Sequence, residues 1–91
     1  MIFHVKNRLY EEKVPQMLQK FQEGELKNDY KSLYCQWDDP FIGLMIWEAK
    51  DEKDLQSKIK PFKPYAEFLE ITRVVTPEES QRLMFEKLKN I

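Results

Sequence analysis

The chain has 91 residues with 16 acidic and 15 basic side chains, a formal net charge of −1, one His, one Cys and two Gly. That length supports one hydrophobic core, because a domain needs on the order of 50 to 100 residues before burial offsets chain entropy, so residues 1–91 are expected to form a single domain. The charge is split evenly, with 6 basic against 7 acidic residues through Met45 and 9 against 9 after it, which removes the field that draws non-specific binders to nucleic acid. Ile2, Phe3, Val5 and Leu9 with polar residues between them predict a first strand that ends near Tyr10. From Glu11 the period changes. Val14, Met17, Leu18 and Phe21 recur at i, i+3, i+4 and i+7, Pro15 suits the first turn of such a helix, and Gly24 is its expected stop.

Tyr30 to Trp37 is rich in β-formers, Asp38-Asp39-Pro40 is turn chemistry, and Phe41 to Glu48 reads as the returning strand of a hairpin. Asp51 is the expected cap of a second helix presenting Leu55, Ile59 and Phe62, with Pro61 and Pro64 at its end. Phe68 to Val75 is the fourth predicted strand. Thr76-Pro77-Glu78-Glu79 has the form of a capping box opening a last helix, with Leu83, Met84 and Leu88 as its apolar stripe.

This order is βαββαβ plus a C-terminal helix, so the fold class is α+β: a ferredoxin-like four-stranded antiparallel sheet with the first and third strands central. The third strand, Phe41-Ile42-Gly43-Leu44-Met45-Ile46-Trp47, carries no charge on either face, whereas a sheet covered on one side should alternate. A second copy of the same sheet is the expected cover, giving a homodimer. The C-terminal helix folded over that face is the alternative.

A single Cys cannot make an intramolecular disulfide and fits a reducing interior. His4, Lys6 and Arg8 interrupt any signal-peptide core, and the apolar run from Phe41 to Trp47 is far short of the roughly 20 residues of a membrane helix. A cytoplasmic protein with no membrane and no nucleic-acid partner is expected. One His and one Cys cannot supply the usual ligands of a metal centre, and with two glycines the chain has neither a phosphate-binding loop nor a nucleophile elbow. No metal and no cofactor are expected. The lysines of the second helix, Lys50, Lys53, Lys58, Lys60 and Lys63, are offset at its start by Asp51, Glu52 and Asp54 and read as a solvated face.

The element order resembles the dimeric α+β-barrel superfamily, which includes antibiotic-biosynthesis-type monooxygenases, muconolactone isomerases, haem-degrading enzymes and stress-responsive proteins. More narrowly, Trp37, the short turn after it, Gly43 and Glu48 in Gly-x-x-x-x-Glu, and the acidic helix start at Asp51, Glu52 and Asp54 are similar to a family of short uncharacterised proteins within it. The resemblance implies a homodimer whose sheets face each other, helices outside, and a pocket in each subunit. It implies no one reaction. Haem-degrading members use an Asn, a Trp and a helical His; here Asn7 and Trp47 are present but the only His is on the first strand, which argues against that chemistry. Cofactor-independent oxygenases hold an aromatic substrate with Asn, Trp and Tyr, types that Asn7, Trp37 and Tyr34 supply.

His4 is the one side chain that titrates near neutrality without help, and is the candidate catalytic proton carrier. Opposite the Phe3 and Val5 face, it is expected to share a dimer interior with Lys6, Tyr34, Gln36, Met45, Trp47, Glu70 and Thr72. Asn7, Tyr34, Trp37, Trp47 and Glu70 are the candidate ligand-binding residues. The structural alternatives are that His4 and Lys6 bond to residues such as Glu70 across the subunits, and that the aromatics pack core and interface. Cys35, alternating with Leu33 and Trp37, is expected to point inward and be inert. Three functions follow: a homodimeric small-molecule-binding or stress-associated protein; a cofactor-independent monooxygenase or isomerase acting on an aromatic substrate; and a protein-interaction module without a ligand.

Overall fold

The computed structural model of the protein describes residues 1–89. Alternation of apolar and polar side chains makes β1 (Ile2–Leu9). After a 3-10 turn at Glu11–Lys13 comes α1 (Val14–Gln22), with Pro15 in its first turn where a missing N–H costs nothing. Gly24 adopts φ +76°, the left-handed geometry that ends a helix and that a side chain would strain. The chain doubles back there, the Gly24 N–H donating to the Phe21 carbonyl and the Glu25 N–H to that of Lys20, and Leu26 is buried as a result.

β2 (Ser32–Gln36) and β3 (Asp39–Glu48) form the hairpin. The turn is tighter than the sequence predicts: Asp39 pairs with Gln36, so Trp37 and Asp38 alone make it, and the Asp39 carboxylate accepts from the Phe41 N–H at 3.1 Å. α2 (Glu52–Ile59) starts at the predicted cap, Asp51 Oδ1 accepting the Asp54 N–H at 2.7 Å, and closes in a 3-10 turn at Lys60–Phe62 around Pro61. β4 (Ala66–Val74) begins two residues earlier than predicted, and α3 (Pro77–Lys89) ends the described chain.

The four strands form one antiparallel sheet in the order β2-β3-β1-β4, the ferredoxin-like order, with β1 and β3 central as predicted. Phe3, Val5, Met45 and Trp47 project to one side and close on Ala49, Leu55 and Ile59. Tyr30, Phe62 and Phe68 pack around this cluster. A bulge at Leu69, where the β1–β4 register slips, brings Phe68 opposite Asn7 and keeps it on that side.

Both faces of β3 are apolar, so alternation alone could not say which set points inward. Pairing with β1 decides it. Trp47 lies opposite Phe3 and Met45 opposite Val5, which puts both in the helix-covered core; the expected grouping of Met45 and Trp47 with His4 is thereby corrected. Leu44 and Ile46 take the other face and are only partly buried. No helix buries them. α3 has no buried residue, and the radius of gyration of 16.0 Å exceeds the roughly 12 Å of a compact chain of this length, so the C-terminal helix stands off the body rather than folding over the sheet.

Leu55 is fully buried beneath the sheet. Replacing Leu55 with Ala is expected to lower the unfolding free energy by about 2–5 kcal/mol in urea titrations, and Asp51→Ala, which removes only a cap, by about 1 kcal/mol.

Candidate functional site

Beside the core, α1 stands away from the sheet far enough to leave a cleft of about 540 Å³. Its outer wall is Met17, Leu18 and Phe21 of α1 with Leu26 from the folded-back loop, and its floor is Asn7, Gly43, Met45 and the edge strand residues Leu33 and Cys35. No side chain that is charged at neutral pH lines it. A cleft of this size and apolarity suits a neutral organic molecule.

The floor is organised by one close approach. Asn7 and Gly43 are register partners, and a Cβ added to Gly43 would lie 2.5 Å from Asn7 Oδ1 and 3.4 Å from Leu33 Cδ1. The Asn7 carboxamide therefore occupies space that any other residue at position 43 would fill. Asn7 is 7% exposed and is the one buried polar residue among those described. Among the described residues its carboxamide makes no side-chain hydrogen bond, and it borders the cleft. Its polar atoms are not sealed from solvent, so the carboxamide is open to a hydrogen bond from a hydroxyl, carbonyl or water in the cleft.

The inner wall is aromatic. Phe21 and Phe62 lie 6.0 Å apart between ring centroids, Phe62 and Trp47 6.1 Å, and Trp47 and Tyr30 5.8 Å, the last two pairs edge to face. Trp47 is 1% exposed and so braces this wall from behind without offering surface to a ligand. Its Nε1 is buried with no partner among the described residues.

The candidate residues thus divide between two faces. Asn7 lies in the cleft, with Trp47 behind it. His4 lies an odd number of residues from Asn7 on the same strand and points to the opposite face, opposite Ile46 and Thr72. Lys6 and Glu70 are register partners there, and Tyr34 lies across β3 from them, opposite Leu44 and 74% exposed. Trp37 belongs to neither group: it sits in the hairpin turn, 94% exposed. One subunit therefore cannot bring His4 to a ligand held by Asn7. Cys35 points to the helix side, as alternation predicts, but is exposed at the cleft rim because α1 does not reach over the edge strand.

Gly43 is the cleft position that residue-type reasoning did not single out. Its signal was a glycine inside an otherwise apolar strand, which marks close backbone or side-chain approach. Glu48, at the other end of that Gly-x-x-x-x-Glu segment, is remote from the cleft; a hydrogen bond and the charge of Lys31, 3.1 Å away, hold its carboxyl below the usual range. Among the described residues no three His, Cys, Asp or Glu side chains come together to hold a metal ion, and no helix is long and apolar enough to cross a membrane. Compared with known proteins, the chain matches no family model, no curated protein and no solved structure.

Because the Asn7 carboxamide makes no side-chain hydrogen bond, Asn7→Leu is expected to leave the unfolding free energy of the ligand-free protein unchanged within about 1 kcal/mol in urea titrations. Loss of stability instead would mean that the amide holds the fold. Gly43→Ala should lower stability by about 1–3 kcal/mol and move the NMR signals of the Asn7 side-chain amide, since the two groups compete for one space.

Proposed function

We propose that the protein is a homodimeric small-molecule-binding member of the dimeric α+β-barrel superfamily, working in the cytoplasm, with a ligand in the cleft of each subunit. The observation that carries the reading is a charge-free, aromatic-walled cleft of about 540 Å³ with one carboxamide, Asn7, at its floor. A carboxamide that makes no side-chain hydrogen bond and opens onto a space suited to a ligand is free to orient one. The charge-free lining favours a neutral, flat molecule with one hydroxyl or carbonyl for Asn7 to meet, because a carboxylate or ammonium would lose hydration with no counter-charge to replace it. The uncovered face of β3, with Leu44 and Ile46 beside the exposed Tyr34, supports the dimer. An exposed, unbridged Cys35 is in keeping with a reducing compartment.

The test is an NMR titration with 2-naphthol, a neutral bicyclic aromatic with one hydroxyl, beside 2-naphthoate, the same ring system carrying a charge. Shifts are expected at Asn7, Phe21, Leu26 and Gly43 with the naphthol. Binding should be at least about tenfold weaker for the naphthoate, and for the naphthol in Asn7→Leu, the loss that one hydrogen bond worth about 1.4 kcal/mol produces. Shifts scattered over the surface, or equal affinity for both probes and both proteins, would discard the cleft as the ligand site.

A further inference from the structure

α3 leaves the sheet on a stiff connection. Val75 and Thr76 alone lie between β4 and α3. Thr76 Oγ1 accepts the Glu79 N–H at 3.2 Å and the Thr76 carbonyl accepts the Ser80 N–H at 2.9 Å, while Pro77 pre-sets the first helical residue. The cap and the proline fix the first turn of α3, and two residues leave little slack between strand and helix.

The helix nevertheless has an apolar side with nothing against it among the described residues. Around its axis Glu79, Ser80 and Leu83 form the most shielded side, and Arg82 ties Glu79 and Glu86 together by ion pairs on another. Met84, Phe85 and Leu88 make the third, at i, i+1 and i+4, and are 56%, 63% and 62% exposed. A helix of 13 residues is marginal alone in water and draws its stability from packing such a stripe.

Area decides what covers it. On the sheet face the exposed Tyr34 with the partly buried Leu44 and Ile46 leaves roughly 200 Å² of side-chain surface open. On α3, Met84, Phe85 and Leu88, each more than half exposed, leave on the order of 300 Å² open. A standard contact takes about 800 Å² from each partner, of which roughly 450 to 500 Å² is apolar. The sheet strip reaches less than half of that, and α3 brings the total near it. A two-fold contact uses every patch twice, so one pairing of identical chains covers both sheet faces and both helices.

Resting on the dimer proposed above, we infer that α3 is an arm whose Met84, Phe85 and Leu88 pack against a second copy of this chain. The experiment is sedimentation velocity of the full chain over the micromolar range, beside Met84→Glu/Leu88→Glu, Leu44→Glu on the sheet face, and Arg82→Ala on the ion-paired side of α3. The wild type should be a dimer, the α3 double variant should dissociate at least about a hundredfold more readily with its circular dichroism otherwise kept, and Arg82→Ala should match the wild type. If the double variant lost helix, Met84→Ala/Leu88→Ala would read the same contact while retaining helix propensity, with at least about tenfold weakening. A wild-type dimer dissociated by Leu44→Glu but indifferent to both α3 variants would overturn the arm and leave the dimer standing. A wild-type monomer would overturn both.

Discussion

Everything in this molecule depends on the register between β1 and β3. By placing Phe3 opposite Trp47, Val5 opposite Met45 and Asn7 opposite Gly43, it sends one side chain of every pair in β3 toward the helices and the next away from them. A slip of one residue would exchange the faces, putting Ile46 and Leu44 under the helices and Trp47 in water. The core, the cleft floor and the uncovered sheet face are three consequences of this one alignment.

The same register explains where the cleft lies and why it persists. Moving along β1 from Phe3 through Val5 to Asn7, the inward side chains change from apolar to polar, and opposite the polar one the partner strand has no side chain at all. The core is therefore densest at Trp47 and Leu55 and opens toward Asn7, where α1 lifts away from the sheet. The edge-to-face chain of Tyr30, Trp47 and Phe62 keeps the wall from collapsing into the space.

Most of the architecture was legible because its signals are local. The helical periods of α1 and α2, the Asp51 and Thr76 caps and the Gly24 stop each rest on residues within a few positions of one another. The faces of β3 were not legible, since Phe41 to Trp47 is apolar throughout and only pairing with another strand assigns its sides. Site prediction inherited that ambiguity: Asn7 lies where a ligand can meet it, Trp47 is walled into the core, and His4, Tyr34 and Glu70 share a face the cleft does not reach. Gly43 was read as part of a motif, but its use lies in an atom it lacks, which only the position of Asn7 reveals. Cys35 shows the remaining gap, between direction and burial: alternation chose its face correctly, and the reach of α1, a tertiary property, left it exposed.

The elongated shape follows from how a chain of this size distributes its apolar residues. A small domain has room inside for few large side chains, and here Phe3, Trp47, Leu55, Ile59 and Val5 fill that room. The remainder, Leu44 and Ile46 on the sheet and Met84, Phe85 and Leu88 on α3, stay outside, on two surfaces whose relative position the short Val75–Thr76 connection holds fixed. Had the connection been long, α3 would have been free to close over its own β3 and the chain would have become a compact monomer. With two residues and a proline it has little slack. The apolar surface that the monomer cannot bury is instead presented in a fixed geometry, the condition under which an identical chain can cover it without a further entropic cost of ordering.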